Sequence, residues 1–205
     1  MDPDPAGVPA RVWWADLTNA DLSLVAWLDH AEHGRLERLD AAADRGRFLV
    51  GAALLRVATA AATGRPREEI TITRTCDRCG QPHGAPRVPG TWVSVAHAGS
   101  LVVVATAGCA VGVDVDRADR GGDMRQWVHD EAEFKAASGL ARARTDPSPS
   151  GLQTLPLVPP LPGYLAALAL PSGESAQIVV HDLAASAAAL RGRPPGVGWR
   201  DQAPT

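Results

Sequence analysis

The apolar positions of this chain fall into short runs that switch between two periods, and the switches mark its elements. Residues 11–28 begin extended with Val12, Trp13 and Trp14, turn at Thr18-Asn19, then take a helical spacing through Leu22, Val25 and Leu28. Leu39 to Ala62 predicts one long helix. Phe48, Leu49, Ala52, Leu55 and Ala58 or Thr59 recur at helical intervals, and Gly64 stands where a stop is expected. Glu69 to Thr75 alternates around Ile70 and Ile72 and predicts a strand. Thr91 to Val95 and Leu101 to Ala107 predict two strands about the turn His97-Ala98-Gly99-Ser100. Val111 to Asp116 predicts another strand, Trp127 to Leu140 a helix and Leu152 to Val158 a short strand. Tyr164 to Leu170 and Ala176 to Asp182 predict a closing hairpin around Ser172-Gly173. Between these lie a turn-rich loop (Cys76 to Pro86), a polar loop (Asp119 to Asp123) and an Arg-, Pro- and Ser-rich stretch (141–163). Arg191 to Thr205 reads as a disordered tail.

The order of elements is weakly repeated. Residues 39–107 read helix, strand, loop, hairpin; residues 127–182 read helix, short strand, Pro-rich loop, hairpin. The expected fold class is therefore α+β, in two pseudo-symmetric lobes that each pack a long helix on a small, mainly antiparallel sheet. An N-terminal lobe of 1–110 would be the basic side, a C-terminal lobe of 111–190 the acidic and catalytic side, and 191–205 the tail. The Val111 to Asp116 strand lies at the join, where ligands are often bound.

Composition narrows the function classes. The 205 residues carry a net charge of −3, with a pI near 6.0, so no general attraction to nucleic acid or anionic membrane is expected. The longest apolar run, Leu101 to Val113, is interrupted by Thr106, Gly108 and Gly112 and is too short to span a bilayer. Met1 to Ala10 is acidic and Pro-rich and lacks the pattern of a secretory signal. Three cysteines make no disulfide framework and suggest reduced thiols, hence a cytoplasmic location. A monomer is expected. Of the 20 Lys and Arg residues only Lys135 is lysine, the one amine here that can lose its proton at modest cost.

The candidate chemistry begins at Val113-Asp114-Val115-Asp116. On a strand the two valines share one face and the two aspartates the other. Like carboxylates so placed repel unless a cation sits between them, and a hard divalent ion with oxygen ligands would serve. Solvated acids at a strand end are the plainer reading. Glu131 and Lys135 are four apart on the next helix. They make either a surface pair or a third carboxylate for the cation with an amine facing a phosphate. His97 sits at a tight turn, and Arg35, Arg38, Arg45 and Arg47 near a helix start form either a solvated face or an anion clamp. Cys76-x-x-Cys79 with His83 is half a zinc site; without a second ligand pair, a plain turn is the expected reading.

Taken in order, these pieces resemble the surfactin-type 4′-phosphopantetheinyl transferases. The resemblance spans about Arg45 to Leu140 and rests on RGRFLVGAALLR (45–56), TCDRCGQPHGAPRV (75–88), VSVAHAG (93–99), VGVDVD (111–116) and WVHDEAEFKA (127–136), with the hairpin at Gly163 to Leu170 in character. It implies two α+β lobes with coenzyme A and Mg²⁺ between them, and transfer of the phosphopantetheine arm to a serine of an acyl or peptidyl carrier protein. By position it implies that Asp114, Asp116 and Glu131 hold the Mg²⁺, and that Glu131, Lys135 and Asp116 are catalytic. Glu131 would help deprotonate the serine and Lys135 would stabilise the leaving phosphate. Arg38, Arg47, Gln81 and His97 would contact coenzyme A. The chain departs from that family in five ways: Ala96 and Ala98 replace serines beside His97, Asp116 replaces a glutamate, Asp130 replaces a lysine, Gln81 replaces a lysine common in the glycine-x-proline turn, and the segment between Asp116 and Trp127 is short. A second class is therefore kept. The same fold could be reused for acid–base cyclisation, dehydration or rearrangement of a small natural-product intermediate, with Asp116, Asp130, Glu131 and Lys135 as acid and base.

Overall fold

The computed structural model describes residues 9–143, 151–172 and 177–192. Most of the tail expected from Arg191, part of the Pro-rich stretch and Gly173 of the expected turn lie outside the described residues. Strand β1 (Ala10–Asp16) sends Val12 and Trp14 one way and Trp13 and Ala15 the other, and all four are buried. A strand that is apolar on both faces must sit between two layers. Asp16 ends it, accepting the Thr18 N–H at 2.8 Å while Asn19 accepts the Asp16 N–H. Two short 3₁₀ turns lead to helix α1 (His30–Glu37), which opens on a reciprocal cap between Asp29 and Glu32.

Helix α2 (Ala42–Thr63) is the long helix expected, beginning three residues later than its pattern suggested. It stops at Gly64, whose φ of 71° only glycine adopts freely. Strands β2 (Trp92–Ala98) and β3 (Leu101–Ala107) form the expected hairpin. Strand β4 (Gly112–Arg117), helix α3 (Met124–Ala143), strands β5 (Leu152–Leu157), β6 (Tyr164–Pro171) and β7 (Ile178–His181), and helix α4 (Leu183–Leu190) complete the chain.

The strands form two sheets, ordered β2-β3-β1-β7 and β4-β6-β5. Three apolar clusters show how they stack. Trp13, Ala15, Val102 and Val104 pack against Leu54, Val50 and Ala58 of α2 and Leu190 of α4. Val12, Trp14, Val103 and Leu101 pack against Val113, Val115 and Leu168 of the second sheet. Ala167 and Ala169 pack against Val128, Ala132 and Ala136 of α3. The protein is thus a mixed α+β fold in four layers: helices, sheet, sheet, helix. Helix α2 has the length and apolar content of a membrane span, but most of it is buried inside the fold.

Three expectations are corrected. Glu69 to Thr75 makes no strand: after a turn at Arg67–Glu69 there are only isolated bridges, Thr73 with Arg87 and Val88 with Thr91. Ile70 and Ile72 are buried against the α2 cluster instead, so their alternation reflects packing without a ladder. The closing hairpin does not form either. Strand β6 pairs with β4 and β5, while β7 crosses to the first sheet and runs parallel to β1, with the His181 ring stacked on Trp13 at 3.6 Å. The lobe expected over 111–190 therefore gives up residues 178–190 to the first sheet and its helix layer, and that sheet is mixed. Helices α1 and α4 were not expected at all.

Candidate functional site

Alternation along β4 does what the sequence requires. Val113 and Val115 point into the core between the sheets, and Asp114 and Asp116 point to the α3 side, only 8 % and 6 % exposed. Helix α3 comes unusually close here. A Cβ on Gly112 would collide with the Ala132 carbonyl oxygen and lie 2.7 Å from the Ala136 amide nitrogen. That approach lets Lys135 reach inward: its Nζ donates to the Val113 carbonyl at 3.0 Å and to Asp114 Oδ1 at 2.6 Å. The lysine four residues after Glu131 thus pairs with the strand, not with its own helix neighbour.

Asp116 is held from both sides, accepting the Arg117 N–H at 2.7 Å and Arg120 Nη1 at 2.6 Å. Glu131 is half-buried, and its charge is felt at Asp114. Burial raises the Asp114 carboxyl above its usual range; Lys135 opposes this and the charges of Glu131 and Asp116 add to it. Among the described residues, the carboxylates of 114, 116 and 131 do not gather within 4.8 Å of one another. The donor set itself, two buried carboxylates on one strand face with a third on the facing helix, is the oxygen-rich kind a hard cation takes.

Beside this cluster opens a cleft of about 770 Å³, walled by α2, residues 83–95, the 108–111 turn and α3. Among the described residues its lining includes Arg35, Arg47, Arg74, Arg87, His83, His97 and Lys135, and no aspartate or glutamate. A pocket lined by cations and no acids has a local potential that favours anions. Arg47 is braced by Gly99 O at 2.7 Å and by Asp44 at 2.5 Å. Arg35 lies 5.2 Å over the Phe48 ring. Among the described residues Arg74 has a buried Nε without a partner; burial lowers its pKa, the charge of Glu32 opposes this, and those of Arg35 and Arg56 add to it. A guanidinium remains cationic regardless. His97 opens on the cleft, and desolvation by the cleft walls followed by the charges of Arg47 and Lys135 hold its pKa below the usual histidine range.

Of the residues expected to bind a cofactor, Arg47 and His97 line the cleft, and Arg38 and Gln81 do not. Arg38 is exposed at the end of α1. Gln81 contributes its backbone carbonyl to the loop fold, accepting the Cys76 and His83 amides. Arg74 and Arg87 were missed. Arg87 sits in a segment without periodicity, whereas Arg74 continues the phase of Ile70 and Ile72, an alternation that could have flagged it as inward-facing. Also unforeseen is the buried pair of Arg56 with Glu32, at 2.6 Å, behind the cleft wall. The sequence matches no model of a protein family, and no curated protein matches it.

Proposed function

We propose that this chain transfers the phosphopantetheine arm of coenzyme A to a serine of a carrier protein, as the resemblance in its motifs implies, on a 4′-phosphopantetheinyl transferase fold. The observation that carries the reading is the acid-free cleft lined by Arg35, Arg47, Arg74 and Arg87, which ends at Lys135 beside Asp114. Coenzyme A is a polyanion with phosphates at two places, and spaced guanidinium groups suit it better than a single cation. Arg47 and His97, next to the β2–β3 turn, would bind one phosphate group; Arg74 and Arg87 would bind another. Mg²⁺, when bound by Asp114, Asp116 and Glu131, would neutralise diphosphate charge. In the transfer, the serine oxygen bonds to the phosphorus carrying pantetheine as the diphosphate P–O bond breaks, and adenosine 3′,5′-bisphosphate leaves. Glu131 takes the serine proton, and Lys135 turns its amine to the leaving phosphate. The reaction would run on a soluble carrier, with neither nucleic acid nor membrane as partner.

A second reading has one observation in its favour. Asp114 is already neutralised by Lys135 and Asp116 by Arg120, so two of the three carboxylates have a cation without an ion. That suits acid–base chemistry on a small natural-product intermediate, with Lys135 and Glu131 exchanging the proton. Incubation with coenzyme A, Mg²⁺ and an apo carrier protein separates the two, with the carrier weighed by mass spectrometry. The expected result is a gain equal to the phosphopantetheine arm, lost in Glu131→Gln and reduced roughly tenfold in Arg74→Ala. An unchanged carrier, together with no rise in melting temperature on adding coenzyme A, overturns the transferase reading.

A further inference from the structure

The loop that walls the cleft carries a second cluster, of different chemistry. Cys76-x-x-Cys79-Gly80 folds into a tight turn in which the Gly80 N–H donates to Cys76 O at 2.8 Å, with Gly80 at a φ of 72°. The chain then doubles back: the Cys76 and His83 amides both donate to Gln81 O, at 2.8 and 2.9 Å. Gly84 closes the ring on the Arg74 carbonyl at 2.6 Å, where a Cβ would lie 2.7 Å from Thr75 O. The result brings the two sulfurs and a ring nitrogen of Cys76, Cys79 and His83 within 4.8 Å of one another. Cys79 Sγ and His83 Nε2 are already 3.0 Å apart.

Those separations suit one ion in particular. Zinc bond lengths put tetrahedral ligands about 3.8 Å apart for two sulfurs and about 3.5 Å for sulfur and nitrogen. Rotamer adjustments of an ångström or less would satisfy both. Cys76 also accepts the Arg78 and Cys79 backbone N–H groups, the kind of outer hydrogen bonding that steadies a metal-bound thiolate. Two thiolates and an imidazole select a soft or borderline ion over the hard cation suited to the carboxylates. Asp77 is engaged by Arg87, and among the described residues no fourth histidine, cysteine or carboxylate joins the three, which leaves the fourth position to solvent. The geometry points to a zinc site made by Cys76, Cys79 and His83 with a water as fourth ligand, bracing the cleft wall that carries Arg74 and Arg87. Apart from its glycines and hydrogen bonds the loop has little to hold it, since most of residues 75–87 are exposed. On binding, each thiol gives its proton to solvent, so affinity falls as pH is lowered.

The inference does not rest on the transferase reading, and its test uses no coenzyme A. The full chain, purified without chelator and equilibrated with zinc, is expected to hold about one zinc per chain by elemental analysis. Cobalt substitution is expected to give a thiolate-to-metal charge-transfer band. Cys79→Ser and His83→Ala should each weaken zinc binding at least about tenfold, whereas Cys109→Ser, the cysteine outside the loop, should retain one zinc. Hydrogen exchange of residues 74–88 should slow on zinc addition. A folded wild-type chain with less than about a tenth of an equivalent of zinc and no cobalt–thiolate band overturns the site, leaving a plain thiol–imidazole hydrogen bond. So does undiminished zinc in Cys79→Ser. The cobalt spectrum of the wild type decides even where a variant fails to fold.

Discussion

Helices α2 and α3 cover opposite outer faces of the stacked sheets, yet they are built to different rules. Every residue of α2 from Leu49 to Thr59 is buried. The sheet covers one side of it; Leu24, Leu28, Leu36, Ile70 and Ile72 cover the rest. Even the arginine within that stretch, Arg56, is folded inward onto Glu32. Helix α3 buries a narrow stripe of Val128, Ala132 and Ala136 and leaves Phe134 66 % exposed. One flank holds Lys135 in the cleft lining, with the half-buried Glu131 one turn before it. A helix wrapped on all sides contributes stability but has little room for chemistry; one that touches the fold along a single small-residue stripe can present side chains to a ligand. Small residues also shorten the reach. Only because Ala132 and Ala136 sit against Gly112 does Lys135 contact Asp114.

The sharpest way to break the contrast is a cavity in α2. Leu54→Ala removes a fully buried side chain from the centre of the α2 cluster. It should cost about 3 kcal/mol of unfolding free energy in urea titration. The fraction that stays folded should bind anions in the cleft normally, because Leu54 does not line it. Weakened binding in the folded fraction would mean that the buried core of α2, and not only the Arg47 to Ala52 stretch that lines the cleft, shapes the site.

A smaller stability loss with a larger effect on the site is expected at the other helix. Gly112→Ala forces α3 away from β4, which should cost roughly 2 kcal/mol. It should also separate Lys135 from Asp114. The expected signature is a lost response to anions that Leu54→Ala does not show, at a milder fall in melting temperature. If Gly112→Ala keeps the cleft's anion affinity, the close approach of α3 is packing alone.

Much of this contrast was legible before the structure. The long apolar run from Phe48 announced α2, and the alternation Val113-Asp114-Val115-Asp116 correctly put the acids on the face away from the valines. What stayed hidden was long-range. Residues 178–181 have strand composition, but nothing local says that they pair with β1 across the chain instead of turning back on β6. Asp182 before an Ala- and Leu-rich run was a readable cap for α4, as Asp29 with Glu32 was for α1. Ile70 and Ile72 misled because burial alone can produce a period of two. At the site, Arg87 reaches the cleft through an irregular loop where no periodicity exists to place it, while Arg74 shares the phase of Ile70 and Ile72 that was read as a strand.

The two layers should also part company in acid, by the smallest effect of the set. In the α2 layer, His181 stacks on Trp13 with planes 12° apart, and its buried Nε2 has no partner. Burial lowers its pKa, the charge of Arg11 adds to this, and Asp182 offsets part. The folded chain therefore binds that proton less readily than the unfolded chain. Stability from this group is fully present above the unfolded histidine pKa, near pH 6.5, and is lost as pH falls from there toward the lowered folded value. On the α3 side the sign is reversed, because the raised Asp114 favours the protonated, folded form as pH falls into the carboxylate range. His181→Phe keeps a ring on Trp13 and removes the titration. Relative to wild type, its unfolding free energy from urea titration should gain as pH is lowered from about 7 to about 5, by less than about 1 kcal/mol because the ring is part-exposed. A difference that stays flat across that range, or moves the other way, would place the proton elsewhere and remove the α2 layer's sensitivity to acid from the comparison.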